Sequence, residues 1–116
     1  MQQTLESKIS TIRQKFIGIL RERLREFQIL REKIQTGREA TEALKELQFS
    51  SHKIRGVAAT LGFGHLGDLA AISEQDVTTV LASPDWHEGT SRIATSLSNM
   101  IAEIANILEG QQGKPC

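Results

Sequence analysis

Apolar residues recur at spacings of three and four along almost the whole of this 116-residue chain, and that period decides what it can fold into. In the first third, Leu5, Ile9, Ile12, Phe16, Ile19/Leu20, Phe27, Leu30 and Ile34 follow it with polar residues between. The glycine of "TGRE", Thr36–Glu39, stops that segment. At about 30 residues it exceeds the usual globular helix of roughly 8–20. It therefore reads as one long helix or as two, with the first dozen residues packed across one end of a bundle.

A second segment, about 39–61, carries Ala40, Ala43, Leu44, Leu47, Ile54, Ala58 and Leu61 on one face, and Gly62 and Gly64 end it. A third, about 65–81, carries Leu66, Leu69, Ala70, Val77, Val80 and Leu81. Ser83, Pro84 and Asp85 then supply a cap, a first-position proline and an acid for the positive end of a last helix. That helix uses Ile93, Leu97, Met100/Ile101, Ile104 and Leu108, and Gly110 closes it. No segment alternates as a strand would, and there is no hairpin signal, repeat or low-complexity block. The expected fold is all-α: an antiparallel up-and-down four-helix bundle with an additional N-terminal helical segment. Residues 1–110 form the single domain, with 1–12 as a helical extension and 111–116 as a frayed tail.

Fourteen basic and fourteen acidic side chains cancel, so net charge gives no case for nucleic acid or an anionic membrane surface. Clusters such as "RERLREFQILREK" read as a solvated helix face. Cys116 is the one cysteine, so no intrachain disulfide forms, which fits a reducing compartment. The polar start "MQQTLESKISTIRQ" lacks the apolar core of a secretory signal, and no run approaches a membrane span. The expectation is a cytoplasmic protein.

The chemistry-bearing stretch is "SSHKIRGVAATLGFGHLGDLAAISE". At 100° per residue, His52 lies roughly 140° and Gly56 roughly 180° from the apolar face centred on Leu47. Arg55 sits at the boundary, near about 80°. The histidine is on the wet side, beside Lys45, Phe49, Gly56 and Ala59. Exposed apolar surface next to a reactive group suggests docking. Glycine inside a helix costs about 1 kcal/mol against alanine, and here Gly56 and Ala59 strip the helix surface so that something large can approach the imidazole. The plainer alternative is that Gly56 lets two helices pack closely.

Other readings of the histidine lack parts. His52, His65 and His87 lie on different segments with no HxxxH or ExxH pair, which leaves a metal site without ligands. Ser50 and Ser51 adjoin His52, but neighbours one or two residues apart point to different helix faces, so no hydrolytic pair forms. "GFGHLG" matches the letters of a dinucleotide fingerprint yet follows a helix rather than a strand.

With these residues in place, the sequence resembles the histidine-containing phosphotransfer (HPt) domain family of two-component phosphorelays. That family's pattern is a histidine followed at three and four residues by lysine and glycine, then a small residue, a glycine and a leucine-rich helix. Here it reads His52, Arg55, Gly56, Ala58-Ala59, Gly62, then Leu66, Leu69 and Glu74. The chain departs from it at Arg55, a planar fork where the family usually has the compact charge of lysine.

The resemblance implies that His52 accepts a phosphoryl group from a receiver-domain aspartate and passes it on. Arg55 would stand near the phosphoryl oxygens and Gly56 would keep access open. Lys45, Phe49 and Ala59 would serve docking. It also implies response-regulator receiver domains, and a hybrid histidine kinase, as partners of a monomer that has no cofactor of its own; Mg²⁺ would belong to the receiver. Nothing resembles an ATP-binding module, so no autonomous kinase activity is implied. Two other readings are a degenerate family member that docks without being phosphorylated, and an unrelated helical adaptor.

Overall fold

A computed structural model of the chain describes residues 4–83 and 89–112. Four helices hold nearly all of them: α1 Leu5–Thr36, α2 Ala40–Thr60, α3 Gly64–Leu81 and α4 Thr90–Gln112. Each packs on its neighbours in chain order, and α1 closes the ring against α4, as an up-and-down bundle requires. Among the described residues there is no strand.

The first segment is one helix and not two. Thr4 caps it, its Oγ1 accepting from the Ser7 N–H at 3.1 Å, and 32 residues follow without a break. The interior contains no proline, and Gly18 costs only about 1 kcal/mol, which Phe16, Ile17 and Leu20 on either side of it offset by burial. Residues 5–12 therefore belong to α1 instead of packing across an end. Arg13 Nε donates to the Leu61 carbonyl at 3.0 Å, which pins this part of α1 to the turn after α2.

Three of the apolar positions expected inside α1, Leu5, Ile12 and Ile19, are exposed, and Ile17 is buried instead. The covered stripe faces between α2 and α4, and these three residues fall on its flank. The last helix also runs past Gly110 to Gln112. An exposed glycine with no left-handed backbone weakens a helix without stopping it. Pro84, Asp85 and His87 lie outside the described residues.

The turns explain the tight ring. Gly37 (φ 76°) ends α1 in the left-handed region, and Glu39 (φ 53°) adopts it too, its carboxylate reaching the Lys33 ammonium at 3.0 Å. The hydrogen bond and charge of Lys33 hold the Glu39 carboxyl below its usual range. After α2, Gly62 (φ 92°) lets the Phe63 N–H reach the Ala58 carbonyl at 2.8 Å and its own N–H reach that of Ala59. This double bond pattern is a Schellman stop. Phe63 then stacks on Phe16 of α1, ring centres 5.9 Å apart.

The core is a column of Phe27, Leu20, Leu44, Leu47, Leu66, Leu97, Met100 and Ile104, all fully buried. The seam between α2 and α3 is close at Gly67, where an added Cβ would touch the backbone of Ala59 and Arg55. Two serines cross it: Ser51 and Ser73 are fully buried and meet Oγ to Oγ at 3.4 Å. Among the described residues no buried side-chain polar atom lacks a partner.

Candidate functional site

His52 projects from the middle of α2, one residue beyond the buried Ser51. That adjacency fixes its direction: with Ser51 turned into the α2–α3 seam, the next residue points along the seam's outer edge. The side chain is 65% exposed. Across the seam, one residue beyond Ser73, stands Glu74 of α3.

The Glu74 carboxylate is shared. One oxygen lies 2.6 Å from His52 Nδ1 and the other 2.8 Å from an Arg55 guanidinium nitrogen. The carboxylate itself is only 16% exposed, while Arg55 remains 47% exposed. A half-buried carboxylate accepting from two donors is held in one orientation and transmits that orientation to both. An ionised carboxylate can only accept, so in the neutral imidazole Nδ1 carries the proton and donates. The Nε2 lone pair then faces solvent as a nucleophile.

The other expected site residues divide between two grooves that share His52. Lys45 and Phe49 line the α2–α3 side with Gln48, Glu74, Thr78 and Leu81. There Gln48 Nε2 donates to Thr78 Oγ1 at 2.9 Å, and Lys53 caps the exposed Phe49 ring at 4.4 Å. Gly56 lies on the opposite, α1–α2 side with Val57, Ile12 and Ile19. A Cβ built on Gly56 meets nothing within 4 Å, so close helix packing is not what this glycine serves. Ala59 is exposed at the far end of α2, its Cβ beside Gly67.

Glu74 is the residue that sequence reasoning left without a role. It closed the family pattern in the sequence, yet nothing within α3 announces its partner, because the pairing spans 22 residues and two helices. His65 lies elsewhere, on the α3–α4 face with Asn99 and Glu103. Among the described residues no three metal-ligating side chains converge, and no helix is long and apolar enough to cross a membrane.

An exposed imidazole with its proton fixed on the inner nitrogen and an arginine on the same carboxylate is suited to forming a bond to phosphorus at Nε2. No curated protein and no solved structure matches the chain. The sequence model of the Hpt domain, however, matches residues 4–107, which takes in α1 to α3, most of α4 and every residue of this constellation. The chain belongs to the Hpt domain family.

Proposed function

We propose that this protein is a phosphorelay intermediate in which His52 carries the phosphoryl group between receiver-domain aspartates. Hpt domains act in histidine phosphotransfer generally, and the observation that supports this role here is the shared Glu74 carboxylate. The reaction needs a neutral imidazole with a defined tautomer, a cation near the phosphoryl oxygens and open access. His52, Arg55 and Gly56 supply one each.

The step runs as follows. His52 Nε2 attacks the phosphorus of a receiver's acyl phosphate, forming the N–P bond as the P–O bond to the aspartate breaks and the carboxylate leaves. The proton stays on Nδ1. The ring thus gains positive charge next to the Glu74 carboxylate, which stabilises it without taking the proton. Arg55, on the other Glu74 oxygen and about one helical turn from His52, can turn its free N–H groups toward the new phosphoryl group. Mg²⁺ and the acidic pocket belong to the receiver in this reading, and a hybrid kinase stands upstream of a monomeric carrier.

The test is direct. Incubated with phosphorylated receivers, the chain should acquire acid-labile, base-stable phosphate, and His52→Gln should acquire none. Label that stays on the chain in His52→Gln would refute the assignment. Receiver binding with no label on the wild type would support a docking protein that is not phosphorylated.

A further inference from the structure

Hydrogen bonds beside His52 close into a loop that spans one turn of α2 and one turn of α3. Gln48 stands one turn before His52 on α2, and Thr78 one turn after Glu74 on α3. Across the seam, Gln48 Nε2 donates to Thr78 Oγ1 at 2.9 Å. That hydroxyl donates its own proton to the backbone carbonyl of Glu74 at 2.8 Å. The Glu74 carboxylate accepts from His52 Nδ1 at 2.6 Å, which returns the loop to α2. A threonine bonding the carbonyl four residues back is ordinary, and Thr79 does the same to Gln75 at 3.0 Å. Thr79 accepts from Gln75 of its own helix, however, whereas Thr78 accepts from the neighbouring one.

Ser51 and Ser73 join α2 and α3 at one buried point. A single point sets register but opposes roll of α3 about its own axis poorly, and roll carries the Glu74 carboxylate toward or away from the imidazole. A contact at the outer edge of the seam resists it. Gln48 and Thr78 make that contact without charge, so it does not compete with Arg55, 2.8 Å from the other Glu74 oxygen, for the carboxylate. Resting on the phosphorelay reading, we infer that Gln48 and Thr78 are positioning residues for the transfer: their bridge fixes the roll of α3 at Glu74 and, through Glu74, the tautomer and aim of the His52 ring. Hydrogen bonds in series polarise one another, so the loop holds the Nδ1 proton more firmly than the His52–Glu74 bond does alone. The bridge also lies in the α2–α3 groove with Lys45, Phe49 and Leu81, where a docking role is the rival explanation. The two differ in donor dependence. A docking defect slows transfer from a receiver and spares a small phosphoryl donor, while a misaimed imidazole reacts slowly with both.

Thr78→Val keeps the shape of the side chain and removes both of its bonds, and the position is exposed, so the fold should survive. In the isotope-labelled full chain with the ring neutral, the His52 ¹⁵N resonances should move part of the way toward an Nε2–H population. Labelling by phosphoramidate and transfer from a phosphorylated receiver should both slow by about two- to tenfold, the worth of one neutral hydrogen bond. Gln48→Leu should act in the same direction. Thr78→Ser, which keeps the hydroxyl, should retain the wild-type resonances and rates. In a Glu74→Ala background Thr78→Val should add nothing, because its effect passes through the carboxylate. Wild-type resonances in Thr78→Val, slowing with the receiver alone, Thr78→Ser behaving as Thr78→Val, or a full additional loss on top of Glu74→Ala would each overturn the positioning role. Failure of both donors to label wild-type His52 would instead count against the phosphorelay reading, and the resonance comparison, which needs no phosphate, would still decide the bridge.

Discussion

Ser51 and Ser73 meet across the buried α2–α3 seam one residue before His52 and Glu74 meet at its surface, so both pairs span the same 22 positions. The buried contact sets the register that the exposed one uses. Small hydroxyls suit this place because they let the helices approach while satisfying each other's polar atoms. Ser73→Leu should force the seam apart, lowering stability by roughly 1–3 kcal/mol through overpacking and slowing transfer as the Glu74–His52 contact opens. The paired change Ser51→Ala with Ser73→Ala should cost much less, since both partners are removed together. Chemical denaturation and transfer rate, measured on the same samples, check the coupling; a Ser73→Leu protein with normal transfer would break the proposed link.

Glu74 should act as a positioning residue. Glu74→Ala removes the acceptor at Nδ1, and the His52 ring should lose its fixed tautomer, visible as a shift of its ¹⁵N resonances toward an Nε2–H population. Transfer should fall by about ten- to a hundredfold, the worth of roughly 1.5–3 kcal/mol for a hydrogen bond to a charged group. Glu74→Gln keeps an acceptor but not the charge, so it should preserve the tautomer and still transfer more slowly than wild type. If Glu74→Ala left both the resonances and the rate unchanged, the carboxylate would be only a surface partner.

The helices and the outward face of His52 could be read from the sequence because both follow from rotation within a single helix. What escaped depends on more than one helix. Glu74 finds His52 only through a register set by Ser51, Ser73 and Gly67. Leu5, Ile12 and Ile19 share the period of the core residues, yet their exposure depends on how far α2 and α4 reach around α1. The continuity of α1 through Gly18 was a question of magnitude: about 1 kcal/mol of propensity against several buried side chains beside it.

Arg55→Ala should slow transfer while leaving the fold intact, because the side chain is nearly half exposed and its partner Glu74 keeps His52. A cation beside a phosphoryl group stabilises charge that is greatest in the transition state and the product. Arg55→Lys should retain most of the rate. It should hold Glu74 less well, since a single ammonium cannot contact the carboxylate and the phosphoryl oxygens with the geometry of a planar fork. Stopped-flow transfer and thermal melts separate these effects. A wild-type rate in Arg55→Ala would reduce the residue to a solvated helix charge.

Gly56 is the sharpest case, because the structure leaves open space where its side chain would be. Gly56→Ala should stabilise the chain by roughly 0.5–1 kcal/mol, the propensity difference for an exposed helix interior. Gly56→Gln should gain somewhat less, yet it places a long side chain one turn from His52 on the α1–α2 side. There it should obstruct a partner that must close over Nε2. Phosphoramidate, being small, should still label His52 in Gly56→Gln, while transfer from a phosphorylated receiver should fall strongly. The contrast between the two donors isolates access from chemistry. Equal loss with both donors would mean that the substitution disturbs the imidazole itself, and no loss with either would mean that the partner approaches from the α2–α3 side and never passes Gly56.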